Sequence, residues 1–139
     1  MTDCVFCGIV GERVESSRVY ADERVVAFLD IRPVSEGHTL VVPRAHGAHL
    51  AEIAPDDGAA MFRAAMKVDA GLRRSGLPCE GVTLWLADGE AAGQDVFHAH
   101  LHVIPRFAGD GFGLRLPPDY HERQRAELNE TAQQIRSVL

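Results

Sequence analysis

The residues best suited to chemistry are three histidines at alternate positions, His98, His100 and His102, in the stretch Gln94-Asp95-Val96-Phe97-His98-Ala99-His100-Leu101-His102-Val103-Ile104-Pro105. On a β-strand successive side chains point to opposite faces, so the three imidazoles would share one face and Ala99, Leu101 and Val103 the other. Val96, Phe97, Val103 and Ile104 favour a strand, and Gly93 and Pro105 punctuate its ends. A neutral imidazole is a nucleophile, a proton carrier and a metal ligand near neutral pH, so three in alternation predict a site rather than a solvated face. A single catalytic metal held by all three is the least favoured use. Alternate side chains rise by roughly 6.6 Å per step, too far for one ion with ligands at about 2.1 Å.

A second group lies far away in the chain. Cys4 and Cys7, in Cys-Val-Phe-Cys, have the spacing of half a tetrahedral zinc site, and His46, His49 and His98 are the supply for the other two ligands. Two buried bystander thiols are the competing reading. A redox pair fits less well, because only three residues precede Cys4 and leave no room for the strand such a motif follows. His46 and His49, three apart, would neighbour each other on one helical turn. Cys79, between Pro78 and Glu80 with no histidine nearby, reads as a structural or surface thiol.

The elements that must position these groups follow from periodicity and punctuation. Residues 5–10 read as a short helix ended by Gly11. Arg18 to Asp30 reads as a hairpin turning over Ala21–Arg24, and His38–Pro43 as a third strand stopped by its proline. Pro55 opens a long helix with Asp56 and Asp57 at its positive end, and Gly76 and Pro78 close it. Met61, Ala65, Val68 and Leu72 form its core stripe, widened by Phe62 and Met66. Gly81–Ala87 is a fourth strand and the histidine strand is the fifth and last. Residues 106–113 form a glycine-rich rim. Asp119 caps a final helix reaching to about 139, with Leu128, Ala132, Ile135 and Leu139 as its buried stripe. The expected fold is α+β: a five-stranded antiparallel meander sheet with one long central helix and a C-terminal helix, as a single domain over residues 1–139.

Composition narrows the function. A chain of 139 residues supports one core. A net charge of −6 with no run of Lys or Arg disfavours binding to a nucleic acid duplex, whereas a small phosphorylated ligand needs only a few local donors. No apolar run approaches the roughly 20 residues of a membrane span, and the N-terminus lacks the features of a secretory signal. The odd cysteine count suits a reducing compartment, so a cytoplasmic location is expected.

His98-Ala-His100-Leu-His102-Val-Ile resembles the His-x-His-x-His-x-x signature of the histidine triad (HIT) family of nucleotide hydrolases and transferases. Cys4-Val-Phe-Cys7, Ala27-Phe28-Leu29-Asp30-Ile31, Gly37-His38-Thr39-Leu40-Val41-Val42-Pro43, His46 and Gly93-Gln94 resemble its bacterial Hint-like branch, in the same order. The resemblance covers roughly residues 4–113. It implies cleavage at the α-phosphate of a nucleoside 5′-phosphate conjugate, whether phosphoramidate, adenylate or dinucleoside polyphosphate. His100 would attack and carry a nucleotidyl intermediate, His102 would hold or protonate a phosphate oxygen, and His98 would orient the cluster. Phe6, Ile9 and Phe28 would hold an adenosine or other purine nucleoside, Asp30 beside Ile31 would accept from the ribose, and the backbone amides around Gln94 and Asp95 would stabilise phosphate charge. It further implies a structural zinc on Cys4, Cys7, His46 and His98, no organic cofactor, and a homodimer.

The competing reading is a non-catalytic nucleotide- or partner-binding protein on the same scaffold. Two departures from the family pattern favour it. Ala87-Asp88-Gly89 stands where an Asn usually precedes the glycine, removing an amide that would bind phosphate. Asp95 replaces a usual Ser or Thr and sets a carboxylate beside an anionic substrate, at an electrostatic cost unless it turns away or is protonated. Slow catalysis or an unusual substrate is the expectation.

Overall fold

The computed structural model describes residues 3–139. Helix α1 (Val5–Val10) starts at Cys4, whose sulfur accepts from the Cys7 amide at 3.3 Å, and stops at Gly11. Strands β1 (Arg18–Ala21), β2 (Val25–Leu29) and β3 (Thr39–Pro43) follow, then helix α2 (Pro55–Arg74), β4 (Gly81–Trp85), β5 (Leu101–Arg106) and helix α3 (Arg125–Arg136). Short 3-10 turns lie at Leu50–Glu52 and Glu90–Ala92. Helix α2 has the polarity its sequence announces: Pro55 at the start, Asp56 and Asp57 in the first turn, Arg73 and Arg74 in the last.

The sheet is five-stranded and antiparallel, and it is buried on both sides at its centre. Val25, Ala27, Val41, Leu101 and Val103 face α2 and pack on Met61, Ala65, Val68 and Leu72. Val26, Phe28, Leu40 and Val42 face α1 and pack on Phe6 and Ile9. Two-sided burial explains why β2 and β3 read as continuous apolar runs rather than alternating ones. It also makes α1 a small lid over one face of the sheet, and that face carries the histidines.

The strand order is β1-β2-β3-β5-β4. The first three strands form the expected meander, and β5 then inserts between β3 and β4. The last strand in sequence is therefore internal, with Val103 paired to Thr39 on one side and Leu84 on the other. Pairing with β3 ends at Val103, so the amide that Pro105 lacks is not needed on that side. The Pro105 carbonyl instead accepts from the Ser35 hydroxyl at 2.6 Å.

Several sequence expectations need correction. The triad does not lie wholly on a strand: β5 begins at Leu101, so only His102 belongs to it. The preceding residues leave the ladder because the Ala99 amide bonds to the Gly47 carbonyl at 2.8 Å, on a loop rather than a strand. His46 and His49 do not share a helical turn: His46 lies in irregular backbone, and His49 in a bend just ahead of the 3-10 turn at Leu50. The α2 core stripe is narrower than expected, with Phe62 and Met66 53% and 59% exposed. Helix α3 begins at Arg125 rather than at Asp119, which instead lies 3.4 Å from Arg123, and it buries no residue; Leu128, Ile135 and Leu139 are exposed. Among the described residues, its amphipathic stripe has no counterpart to pack on. Among the described residues, no helix is long and apolar enough to cross a membrane.

Candidate functional site

Four ligand atoms converge where α1, the loop after β3 and the segment before β5 meet. Cys4 is there as the cap of α1, Cys7 one turn later, and His46 and His98 come from the two loops. The His46 and His98 Nδ1 atoms are 3.2 Å apart; Cys4 Sγ is 3.5 Å from His98 Nδ1, and Cys7 Sγ is 3.3 Å from His46 Nδ1 and 3.6 Å from His98 Nδ1. Tetrahedral zinc, with Zn–S about 2.3 Å and Zn–N about 2.0–2.1 Å, holds its ligand atoms about 3.3–3.8 Å apart. The spacing fits. The proton inventory fits too: His98 Nε2 lies 2.8 Å from the Pro43 carbonyl, which only accepts, so Nε2 carries the hydrogen and Nδ1 turns a bare lone pair to the cluster. His49 stays outside, 3.6 Å from Asp88 and edge-on to Phe97. Cys79 is a bystander near the Gly81 carbonyl.

Beside this cluster is a cavity of about 230 Å³ whose walls include Phe6, Ile9, Phe28, Asp95, His100 and His102. Phe6 packs edge-on against Phe28 at 5.4 Å and against His100 at 5.1 Å, so the lid helix supplies an aromatic wall next to the imidazole. Asp30 and Ile31 lie on the rim, Ile31 almost fully exposed. Asp30 does two jobs: Oδ1 accepts from the Arg32 amide at 2.8 Å, shaping the turn, and Oδ2 lies 3.6 Å from His38 Nε2. Gln94 is buried and does not line the cavity. Its side chain accepts from the Gly89 amide and donates to the Ala48 and Val96 carbonyls, holding the loop ahead of the histidines in shape. Ala87, the other departure, is buried and does not line the cavity, and its neighbour Asp88 accepts from the Leu50 amide at 3.1 Å.

Hydrogen bonds fix the tautomers. His100 Nδ1 lies 2.8 Å from the His98 carbonyl, so Nδ1 carries the hydrogen and Nε2 keeps its lone pair. His102 is set from the opposite side by a residue for which sequence reading found no role. The Val34 amide donates to His38 Nδ1 at 3.0 Å, which leaves the hydrogen of neutral His38 on Nε2, and His38 Nε2 is 2.9 Å from His102 Nδ1. His102 must accept there, and its own hydrogen is then on Nε2. The signal for His38 was its phase: it precedes Leu40 by two, and Leu40 pairs directly with His102. Only the strand order, which sequence did not show, turns that phase into a contact.

Asp30, His38 and His102 also have metal-like spacing. Their protons say otherwise, because a metal on His38 Nε2 needs a hydrogen on Nδ1, where the Val34 amide already points. The group is a hydrogen-bonded chain. Burial, then the neighbouring His100 and His38, brings His102 down to about 4, and burial likewise holds His38 and His98 below the usual histidine range. All three are therefore neutral at pH 7. Since the unfolded chain takes up these protons near pH 6.5 and the folded chain does not, stability is complete above about 6.5 and declines as pH falls toward 4. Melting temperatures measured from pH 7 to 4 should fall, and less steeply for His102→Asn; identical slopes would mean that His102 does not titrate in this way.

Comparison with known proteins places this geometry. The family model described as HIT domain matches residues 12–109. Protein hit of Bacillus subtilis is 43% identical over 112 residues, covering 80% of this chain and 77% of that protein. The crystal structure of a Zn-bound histidine triad family protein from Mycobacterium smegmatis superposes with a TM-score of 0.78 at 39% identity, over 99% of both chains. That of a histidine triad nucleotide-binding protein from Candida albicans does so with a TM-score of 0.87 at 27% identity, over 97% of this chain and 96% of its own.

Proposed function

Because this chain belongs to the HIT family, a nucleotide-binding and hydrolase-type scaffold, we propose that it is a nucleotide hydrolase or transferase. It cleaves at the α-phosphate of a nucleoside 5′-phosphate conjugate through a nucleotidyl-His100 intermediate. The observation that carries this reading is the His98 carbonyl bond to His100 Nδ1, which leaves an Nε2 lone pair at the wall of an apolar cavity.

Each step follows from those groups. A purine nucleoside packs among Phe6, Ile9 and Phe28, with Ile31 at the rim and Asp30 accepting from a ribose hydroxyl. His100 Nε2 forms a bond to phosphorus as the bond to the leaving atom breaks, and that atom takes a proton from water if it departs as an amine or alcohol. His102 Nε2–H donates to a non-bridging oxygen, stabilising charge as a neutral donor. Water then attacks phosphorus, the P–Nε2 bond breaks, a proton goes to solvent, and a nucleoside monophosphate leaves. Tautomers already fixed by hydrogen bonds cost no reorganisation at the moment of reaction.

Cys4, Cys7, His46 and His98 would hold one structural zinc ion, which would tie the lid helix carrying Phe6 to the loops bearing His46 and His98. A homodimer is supported by the apolar side chains that the chain leaves uncovered, Phe62 and Met66 on α2 and Leu128 and Ile135 on α3.

Rapid quenching of a single turnover of an adenosine phosphoramidate should yield one nucleotidyl group on the peptide containing His100, seen as an added nucleoside monophosphate mass. Nucleotide binding without that adduct would favour the non-catalytic reading, to which Asp95, 3.9 Å from His100 Nε2, lends weight.

A further inference from the structure

A cavity larger than the one beside His100 lies on the other side of the sheet. It measures about 430 Å³, against about 230 Å³, and opens between α2 and the β1 edge. Val19, Tyr20 and Leu29 line it from β1 and β2, Val68 and Leu72 from α2, and Leu77 from the turn that follows. Two local irregularities open it. Arg18 and Tyr20 pair with Phe28 and Ala27, so Val19 is the extra residue of a bulge, and it lines the cavity together with its neighbour Tyr20 instead of facing away. Within α2, Gly71 also lines the cavity. A Cβ there would meet nothing within 4 Å, so no contact inside the chain calls for glycine, which weakens a helix relative to alanine. That space is open to a ligand.

The charge on the wall points to the ligand's chemistry. Of the 14 basic residues 13 are arginines, and the single lysine, Lys67, is here. Its ammonium sits 5.0 Å from the centre of the Tyr20 ring and donates to the Tyr20 hydroxyl at 3.3 Å, and that hydroxyl donates on to Asp22 at 2.8 Å. Among the described residues no carboxylate lies within ion-pair distance of Lys67, so two of its three N–H bonds are available. Lysine brings a compact charge on an apolar stem that can lie along such a wall. Glu36, also lining the cavity, balances that charge overall, which leaves no net field to draw a polyanion such as a nucleotide. We propose that this cavity binds an amphipathic carboxylic acid, its aryl or alkyl body among Val19, Leu29, Val68 and Leu72 and its carboxylate accepting from Lys67. Apolar walls with one convergent charge are the makings of a small-molecule site, and this one stands apart from the nucleotidyl-transfer reading.

Calorimetric titration of the full chain at pH 7 with 4-phenylbutyrate should give one site per chain. The neutral 4-phenylbutanamide should bind about fivefold or more weakly, as one partly solvated ion pair allows. Lys67→Met should weaken the acid to the level of the amide, while Lys67→Arg keeps most of the difference. Gly71→Leu, which sets a side chain in the cavity, should abolish binding of both. Melting temperatures identify any variant that fails to fold, and Gly71→Ala, with partial loss expected, then replaces Gly71→Leu. Equal affinities for acid and amide, or an acid affinity unchanged in Lys67→Met, overturn the inference. So does displacement of the acid by adenosine 5′-monophosphate, which would put it in the cavity beside His100. Binding of neither probe overturns it as well, and a change of sedimentation in Gly71→Leu would then assign the face to a second copy of the chain.

Discussion

Replacing His100 by Asn should slow nucleotidyl transfer by about 10⁴-fold or more, with the melting temperature and metal content close to those of the unaltered chain. Asn is chosen because its side-chain amide can take over the donation to the His98 carbonyl that His100 Nδ1 makes at 2.8 Å, and because it leaves a smaller gap beside Phe6 than Ala does. What it removes is the lone pair on Nε2. A lone pair is not replaceable by binding energy from elsewhere, so the loss should fall on kcat with little change in the affinity for nucleotide. Single-turnover release of the amine, followed with excess protein, measures the step directly. Retained turnover in His100→Asn would sink the nucleophile assignment and turn attention to His102.

Removing the metal should have the second largest effect. One zinc per chain is expected by elemental analysis, and its removal with a chelator, or the change Cys7→Ser, should lower the melting temperature by about 10 °C or more. Helix α1 has only six residues, too few to persist by its own hydrogen bonds. It is held by Phe6 and Ile9 in the core and by its two thiols at the cluster. Without a cation the His46 and His98 Nδ1 atoms, 3.2 Å apart, have at most one proton to share, and burial together with the Cys4 thiol pushes Cys7 up, so the cluster becomes a weak set of thiol and imidazole contacts. Loosening α1 withdraws Phe6 from the cavity wall, so KM for the nucleoside conjugate should rise in the same samples. A metal-free chain with an unchanged melting temperature would refute the structural role.

The elements were legible because their signals are local. Pro55, Asp56 and Asp57 announce the start of α2, and the runs Val25-Val26-Ala27-Phe28 and Leu40-Val41-Val42 announce buried strands; all stand where expected. The four-ligand group was legible only by resemblance, since spacing alone left His46 and His49 equivalent. What separated them was the Asp88 carboxylate, which sits near His49, and the bend that aims His46 at the thiols. His38 went unassigned because its partner is 64 residues away and strand order is a property of the whole sheet. Helix α3 was misjudged for a different reason. Periodicity reports that a helix has an apolar stripe, not that its own chain will cover it, and Leu128 and Ile135 remain in solvent.

His98 does three things with one residue: its ring nitrogens meet the thiol cluster and Pro43, and its main-chain oxygen holds His100. Only the ring depends on the side chain being histidine. A descendant could thus shed Cys4, Cys7 and His46 one after another and still keep the attacking imidazole correctly turned, because a peptide carbonyl survives any substitution that preserves the local backbone. The proposed zinc ligand and the hydrogen bond that turns His100 share an address in this fold but not an atom, which leaves natural drift free to discard the first without forfeiting the second.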